Sequence, residues 1–318
     1  MNTTDSNIPD FSAEFSIPQA PSGFKSGFIG IIGRPNVGKS TLMNKLVGQK
    51  IAITSPVAQT TRNRLQGILT TPEAQLIFVD TPGIHKPHHQ LGEVLVKNAR
   101  VAINSVDVVL FVVDGSVEAG GGDRYIVDLL SHTKTPVILG LNKIDRHSTT
   151  EQNIENSYSQ IATSNHWQMT KFSALTGEGL EKLQQLIVDL LETGPYYYPP
   201  DLVTDQPERF IIGELIREQI LLLTREEVPH SVAITIDKVE EEPIITRVFA
   251  TIHVERDSQK GILIGKGGTM LKAIGSAARE QIQKLIAGKV YLELFVKVQP
   301  KWRQSRLRLS ELGYRVEE

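Results

Sequence analysis

The chain contains no cysteine, so disulfides and thiolate metal sites are excluded and a reducing cytoplasm is the expected compartment. It also lacks any apolar run close to the roughly 18 residues that indicate a membrane span. Residues 1–25 have no apolar signal-peptide core, and we interpret them as a disordered extension. An excess of charge of one sign is missing too, because the formal net charge is −2. The total charge therefore says little about partners.

The 318 residues suggest about two domains. From Gly27 to about Glu192, short apolar runs alternate with helical patterns. The run V-V-L-F-V-V at 108–113 is typical of a strand in a parallel sheet that is covered on both faces. We therefore predict a three-layer α/β domain. Predicted strands are 28–32, 65–69, 76–79, 108–113, 137–141 and, more weakly, 171–172. Predicted helices are 40–47, 92–104, 124–131, 151–165 and 180–191.

Four prolines and three consecutive tyrosines lie between Thr193 and Pro207. Proline fixes φ and removes a donor, so this stretch is predicted to be a semi-extended linker, docked by its tyrosines. Beyond it the order α-β-β-α-β-α indicates a small α+β domain. Its predicted elements are helix 208–223, strands 232–239 and 245–254, a glycine loop, helix 270–286, strand 290–298 and helix 304–312. The predicted organisation is an extension at 1–25, a first domain at 26–193, a linker at 194–207 and a second domain at 208–318.

Between the first predicted strand and helix, residues 33–40 read G-R-P-N-V-G-K-S and fit the phosphate-loop template G-x-x-x-x-G-K-[S/T]. Glycines let successive N–H groups point at phosphate oxygens, and the positive end of the helix dipole adds attraction. Lys39 is expected to reach the outer phosphates, and the Ser40 hydroxyl to coordinate Mg²⁺. The predicted phosphate-binding residues are Asn36, Val37, Gly38, Lys39, Ser40 and Thr41.

Two further segments supply candidates around the phosphates. Asp80 ends a predicted strand, where its carboxylate can hold Mg²⁺ through water, and the Gly83 N–H can meet a γ-phosphate. The polar segment Q-T-T-R at 59–62 can offer a threonine hydroxyl to Mg²⁺. Either Thr60 or Thr61 fits that role, and Thr61 is favoured.

The sequence Asn142-Lys143-Ile144-Asp145 follows another strand. Asp145 can accept hydrogen bonds from N1–H and the 2-amino group of guanine, whereas adenine would leave the carboxylate unpaired. Asn142 is expected to contact the base edge or tie its loop to the phosphate loop, and the stem of Lys143 to lie along the base. Downstream, Ser173, Ala174 and Leu175 offer a backbone N–H to the guanine carbonyl. Each piece alone could be an ordinary turn, but their order at successive strand ends predicts a guanine-nucleotide site.

Two residues bear on hydrolysis. Ile84 follows the glycine at the position where Ras-like proteins place a water-orienting glutamine, and it cannot hydrogen-bond water. Unaided hydrolysis is therefore expected to be slow. We hypothesise that Asn36, with backbone oxygens of the Thr60 segment, holds K⁺ where other enzymes place an arginine finger.

A second glycine sequence, Gly265-Lys266-Gly267-Gly268, precedes a predicted helix. Such a G-x-x-G turn lets the backbone and a lysine press against single-stranded nucleic acid, with apolar neighbours forming a groove. The alternative interpretation is a tight turn between a strand and a helix, without a role in binding. The predicted RNA-contacting residues here are Ile264, Gly265, Lys266, Gly267 and Gly268, while Ile262 and Ile274 belong to the groove or the core.

The C-terminal segment adds Lys301 and Arg303 as candidate RNA contacts on either side of Trp302. Trp302 could instead pack in the core, and we leave both interpretations open. His85, His88 and His89 could bind zinc, but fewer than four convincing ligands are nearby, so a solvated loop is favoured.

Together the two glycine loops, Q-T-T-R at 59–62, D-T-P-G-I-H at 80–85 and N-K-I-D at 142–145 closely resemble bacterial Era GTPases. The resemblance covers nearly the whole chain. It implies a Ras-like P-loop GTPase domain with a mixed, mostly parallel sheet, followed by a smaller α+β type II KH domain. It also implies GTP/GDP and Mg²⁺ as ligands, and Ile84 matches relatives with a hydrophobic residue in place of the catalytic glutamine.

What the resemblance implies about biology is a GTP-hydrolysing switch that binds 16S rRNA near its 3′ end and assists small-subunit assembly. Some members associate peripherally with membranes, so a membrane pool beside the cytoplasmic one is an expectation, as is a monomer. The rival hypothesis is a membrane- or division-associated signalling GTPase whose KH domain docks protein.

Overall fold

The computed structural model describes residues 17–55, 65–81, 83–84, 103–146, 151–226, 228–286 and 288–312. These residues form two sheets. The strands are β1 Lys25–Ile32, β2 Leu65–Thr70, β3 Ala74–Asp80, β4 Val108–Asp114, β5 Val137–Asn142, β6 Gln168–Phe172, β7 Ala233–Glu241, β8 Thr246–Val254 and β9 Val290–Val298. The α-helices are α1 Lys39–Val47, α2 Gly121–Leu130, α3 Glu151–Ser164, α4 Leu180–Leu190, α5 Glu208–Leu223, α6 Val228–Ser231, α7 Asp257–Ile264, α8 Thr269–Ile286 and α9 Arg306–Glu311.

The larger sheet has the strand order β2-β3-β1-β4-β5-β6. Only β2 runs antiparallel to its neighbour, so the sheet is mixed and mostly parallel. Every residue of β3 is buried, and so are the first six of β4, because separate hydrophobic clusters cover the two faces of the sheet. The carboxyl ends of the parallel strands meet at one edge, which is where such sheets bind ligands.

The linker lies against the larger sheet through its tyrosines. Gln75 on β3 is fully buried, and its Oε1 accepts hydrogen bonds from the N–H groups of Tyr197 (2.8 Å) and Tyr198 (3.0 Å). The Tyr198 hydroxyl donates to Gln66 Oε1 at 2.8 Å. The ring of Tyr196 lies 4.4 Å from that of Phe24 between centroids. These contacts agree with the prediction that the tyrosines dock the linker.

The smaller sheet has the order β7-β8-β9, with β7 antiparallel and β9 parallel to β8. A separate hydrophobic core joins its inner face to α5 and α8. The predicted glycine loop is wrong in one respect, because residues 257–264 form α7. Gln259 caps that helix by accepting hydrogen bonds from the N–H groups of Glu255 and Arg256, and Leu263 is fully buried. The glycine turn therefore connects two helices, not a strand and a helix.

Two smaller differences concern helix boundaries. Helix α2 begins at Gly121, ahead of the predicted start at residue 124, because the Asp123 carboxylate accepts the Gly120 N–H at 3.0 Å and stabilises the first turn. The predicted basic helix at 304–312 is divided into a 3₁₀ turn, Trp302–Gln304, and α9. Most of the helix predicted at 92–104 lies outside the described residues.

Candidate functional site

The phosphate loop turns sharply between β1 and α1. Asn36 and Gly38 have φ values of 64° and 101°, in the left-handed region that favours glycine. A Cβ added at Gly38 would lie 2.4 Å from Nδ2 of Asn142, so this position needs glycine for its conformation and for space. Because α1 begins directly afterwards at Lys39, its first N–H groups lack helical partners and are available to an anion.

Lys39 lies under this loop and is 6% exposed. Its Nζ donates to the carbonyl oxygens of Gly33 (3.1 Å) and Arg34 (2.8 Å). Burial lowers the pKa of Lys39 to about 8, although the charge of Asp80 opposes the change. The buried ammonium is therefore one that phosphate charge would stabilise.

Beside Lys39 lie the two described candidates for a magnesium site. The Ser40 hydroxyl donates to Asp80 Oδ2 at 2.9 Å, and Asp80 is fully buried at the end of β3. A hydroxyl and a carboxylate are the oxygen donors that Mg²⁺ prefers, so these residues fit the ion. Thr60 and Thr61 lie outside the described residues.

Gly83 and Ile84 lie against the backbone of the phosphate loop. A Cβ added at Gly83 would approach the backbone nitrogen of Pro35 to 2.7 Å, and the Ile84 N–H donates to the Gly33 carbonyl at 3.1 Å. The side chain of Ile84 is 2% exposed and packs in the core. It therefore takes no part in orienting water.

At the base end of the site, Asn142 connects three loops. Its Nδ2 donates to the Val37 carbonyl at 2.8 Å, and its Oδ1 accepts the Ala174 N–H at 2.9 Å. Of the two roles left open for this residue, the structure shows the tie to the phosphate loop. Asp145 Oδ1 accepts a hydrogen bond from the Ser173 hydroxyl at 2.5 Å, which orients the carboxylate.

The segment Ser173–Leu175 offers one donor. The Ser173 N–H bonds the Glu178 carbonyl at 2.9 Å, and the Ala174 N–H is used by Asn142. Within the described part of the chain, the Leu175 N–H has no partner, and Leu175 is 71% exposed. It is the available donor for a base carbonyl.

Lys143 has a partner that sequence reasoning missed. Its Nζ donates to the Asn36 carbonyl at 2.8 Å and to Asp114 Oδ2 at 2.5 Å. Burial opposes ionisation of Asp114, but hydrogen bonds from Lys143 and Ser116 lower its pKa below the usual value. Asp114 ends β4, and its place after an apolar strand was the signal that could have identified it.

Further anchors of the phosphate pocket were also missed. Arg34 Nε donates to Asp123 Oδ1 at 2.7 Å, and the fully buried Asp123 thereby fixes the loop to α2. Six predicted residues line the pocket: Asn36, Gly38, Lys39, Ser40, Thr41 and Gly83. Pro35, Ile53, Thr54 and Ser55 line it as well, and none of them was predicted.

The glycine turn of the smaller domain is exposed. Gly265, Gly267 and Gly268 have φ values of 71°, 62° and 80°. A Cβ at Gly265 would lie 2.8 Å from that of Met270, whereas nothing lies within 4 Å of one added at Gly267 or Gly268. The exposed Lys266 stands between them. A nucleic-acid backbone can therefore approach this turn closely.

The apolar residues near the turn fall into two groups. Ile274 is fully buried and belongs to the core, and Ile264 packs partly against that core. Ile262 is 51% exposed and remains available to a groove.

Trp302 is a core residue, which decides between the two interpretations of the C-terminal segment. It is 2% exposed, and its Nε1 donates to the Ser231 carbonyl at 3.1 Å. The interpretation that Trp302 stacks on bases is therefore wrong. Lys301 is exposed, while Arg303 pairs with Glu255 at 2.5 Å.

Among the described residues, no group of three or more His, Cys, Asp or Glu side chains could hold a metal ion. His85, His88 and His89 lie outside that part of the chain. No helix within the same described part is long and apolar enough to cross a membrane.

Known proteins match both halves of the chain. Residues 28–143 match a family model described as a 50S ribosome-binding GTPase, and residues 227–303 match a KH domain. GTPase Era of Nostoc sp. is 80% identical over 314 residues, which cover 99% of this chain and 97% of the relative. The chain belongs to the Era family of GTPases. GTPase Era of Rippkaea orientalis is 74% identical over 302 residues, 95% of this chain and 96% of its own.

Solved Era structures have the same architecture. One is Era in complex with MgGDPNP and nucleotides 1506–1542 of 16S ribosomal RNA, with 38% identity, a TM-score of 0.86, and coverage of 92% of this chain and 99% of its own. A variant of Aquifex aeolicus Era bound to GDP·AlF₄⁻ gives the same four values. The predicted fold class, family and GTPase activity are confirmed.

Proposed function

We propose that this GTPase binds 16S rRNA through its KH domain, in a manner that depends on GTP, and assists assembly of the small ribosomal subunit. The observation that carries the proposal is the exposed G-K-G-G turn in a chain similar over 92% of its length to an Era that was solved with a 16S rRNA fragment. The first family model names the large subunit. We favour the small subunit because 16S rRNA is its component.

In the proposed nucleotide site, Lys39 and the N–H groups at the start of α1 hold the phosphates. The Gly83 N–H meets the γ-phosphate, at a point where its backbone already lies against the phosphate loop. Ser40, Asp80 and Thr61 would hold Mg²⁺, which when bound neutralises charge on the phosphate oxygens. The hydrogen bond from the Ser40 hydroxyl to the Asp80 carboxylate supports a shared role for these two residues.

Guanine is selected by Asp145, with the Leu175 N–H donating to the base carbonyl. The Ser173 hydroxyl donates a hydrogen bond to the Asp145 carboxylate and thereby fixes the orientation of that carboxylate. An adenine would leave this carboxylate without donors, which costs about 1–3 kcal/mol. Asn142 and Lys143 fix the base loop to the phosphate loop, so both ends of the nucleotide bind one rigid unit.

A group other than Ile84 must assist hydrolysis, because the side chain of Ile84 is buried in the core. We propose that Asn36 contributes to a K⁺ site completed by the Thr60 segment. The steady-state GTPase rate should then be higher in potassium than in sodium buffer at equal ionic strength. Equal rates in the two buffers would exclude this role for Asn36.

The proposed RNA contacts are Ile264, Gly265, Lys266, Gly267, Gly268, Lys301 and Arg303. Lys266 carries an exposed charge, whereas Arg303 must leave Glu255 to meet a phosphate. Lys266 is therefore the stronger contact. The bounds at 26–193 and 208–318 for nucleotide and RNA functions remain our prediction.

The experiment compares the wild-type protein with Lys266→Glu, using an RNA of nucleotides 1506–1542 of 16S rRNA as the probe. Because the substitution reverses an exposed charge at the turn, RNA affinity should fall while GTP turnover stays unchanged. Unchanged RNA binding would favour the rival signalling GTPase with a protein-docking KH domain. Fractionation and light scattering would test the expected cytoplasmic location, the membrane pool and the monomeric state.

A further inference from the structure

One face of α5 meets the GTPase domain instead of solvent. Phe210, Glu214 and Glu218 are spaced four residues apart and therefore lie on the same side of the helix. Phe210 packs against the hydrophobic cores of both domains. Together with Glu214 it lines a small cavity whose other walls include Ile53 and the proposed magnesium ligand Asp80. This face of the KH domain therefore lies next to residues of the nucleotide site.

Glu218 makes the polar contacts of that face. Its side chain is 2% exposed. Its Oε1 accepts hydrogen bonds from the backbone N–H of Thr54 at 2.8 Å and from the Thr54 hydroxyl at 3.3 Å. Its Oε2 accepts from Lys50 Nζ at 2.6 Å and from Gln219 Nε2 at 3.3 Å. A buried carboxylate is stable only when its oxygens are satisfied, and here residues of the other domain provide most of the donors.

The partner Thr54 is part of the phosphate pocket. Ile53, Thr54 and Ser55 line that pocket together with the phosphate loop. Their segment continues directly toward Thr60 and Thr61 in the sequence. A hydrogen bond to the Thr54 N–H fixes the backbone at this point, so Glu218 determines where one wall of the pocket lies.

Lys50 extends the contact to a second helix of the KH domain. Besides Glu218, its Nζ lies 3.4 Å from Gln281 Oε1, at the limit of a hydrogen bond. Gln281 belongs to α8, the helix that begins at the glycine turn. One lysine of the GTPase domain thus contacts both principal helices of the KH domain, and a shift of the pocket wall would act on both.

We propose that Glu218 is a positioning residue of the GTP pocket supplied by the KH domain, and that Glu218 and Lys50 couple nucleotide state to RNA affinity. The second part rests on the proposed RNA-binding function. The first part does not, because it concerns the position of Thr54 alone.

Three variants separate the two parts. Glu218→Ala removes both contacts, whereas Glu218→Gln keeps an acceptor for Thr54 and loses the charge that pairs with Lys50. Lys50→Met keeps the Thr54 contact and removes the link to α8. Glu208→Gln, an exposed glutamate on the same helix, is the matched control. The measurements are KM and kcat for GTP, and the Kd for the 1506–1542 RNA with GDPNP and with GDP.

The expected pattern differs between the readouts. Glu218→Ala should raise KM for GTP about tenfold, the effect of losing a hydrogen bond to a charged group, and Glu218→Gln should restore most of that loss. The ratio of the two RNA Kd values should approach one in all three variants and stay at the wild-type value in Glu208→Gln.

The outcomes are distinguishable. Wild-type KM in Glu218→Ala would overturn the positioning role, and a wild-type Kd ratio in Lys50→Met would overturn the coupling through this contact. If the wild-type protein binds RNA equally in both states, the GTP dependence in the proposed function fails, while the KM measurement still decides the positioning role. Should Glu218→Ala not fold, Glu218→Gln and Lys50→Met carry the test of the coupling, and a wild-type Kd ratio in Lys50→Met still refutes it.

Discussion

Nucleotide binding should take up a proton when the pH lies above about 8, because Lys39 is buried and its pKa in the nucleotide-free protein is about 8. Phosphate charge beside the ammonium favours the protonated form and raises this pKa in the complex. At pH 9 about 0.9 of the Lys39 side chains are neutral before binding, and at pH 7 about 0.1. The expected uptake on binding GDP is therefore about 0.9 proton at pH 9 and about 0.1 at pH 7.

The same linkage sets the affinity. Binding at pH 9 must first protonate the lysine, so the GDP association constant should be about tenfold lower than at pH 7. Isothermal titration calorimetry in two buffers of different ionisation enthalpy measures the uptake directly, and pH 7 serves as the internal control. Uptake below about 0.3 proton at pH 9, or equal uptake at the two pH values, would refute the assigned role of Lys39.

The shift also has a consequence for stability without nucleotide. Lowering a lysine pKa from 10.5 to about 8 costs about 3 kcal/mol at pH 7. Between about pH 8 and 10.5 the unfolded chain binds more protons at this position than the folded one, so the free energy of unfolding should rise with pH across that window. Lys39→Met should accordingly stabilise the nucleotide-free protein at pH 7 by about 1–3 kcal/mol in urea unfolding while abolishing GTP binding. A less stable variant would contradict the argument.

Three further predictions concern single residues. Gly38→Ala should abolish GDP binding in calorimetry, because its Cβ would meet a side chain at 2.4 Å. The control Gly48→Ala is also at positive φ but in open space, so it should keep GDP binding and cost only about 1–2 kcal/mol of stability. Asp145→Asn replaces one hydrogen-bond acceptor by a donor, so the binding free energy of GTP in equilibrium dialysis should weaken by about 2–3 kcal/mol. Xanthosine triphosphate should then bind better than GTP. Undiminished GTP affinity would show that Asp145 does not contact the base. Glu255→Gln releases Arg303 from its ion pair and should tighten RNA binding at low salt, with the gain vanishing as salt is raised.

The parts of the site that the sequence predicts are those carried by short, local patterns. The phosphate loop, Asp80 and the residues 142–145 each lie at the carboxyl end of a strand, and parallel strands bring these ends to one edge. Topology therefore converts local spacing into proximity. The predicted fold fails mainly at α7, because the sequence before α8 predicts a glycine loop although Gln259 caps a helix there and Leu263 is buried.

Contacts between distant residues could not be predicted in this way. Arg34 and Asp123 are 89 positions apart, and their ion pair depends on how α2 packs beside the phosphate loop. Asp114 and Lys143 meet because β4 and β5 are neighbours and their register places Asp114 opposite Asn142, which spacing along the chain does not fix. No local pattern distinguishes Arg34 and Asp123 from solvated charges, whereas the position of Asp114 at the end of an apolar strand does mark it.

Helix α5 carries charged and polar residues that are buried. Nearly all residues from Ile211 to Leu221 are buried, including Arg217, Glu218 and Gln219. A helix that is buried on all sides is normally apolar throughout, because a charge without a partner is costly inside a protein. Glu214 of the same helix pairs with the buried Arg217, whereas Lys50 and Thr54 of the other domain supply most of the donors to Glu218. The buried Glu218 therefore marks α5 as a helix shared by two domains, which is an arrangement through which GTP state and RNA affinity can influence each other.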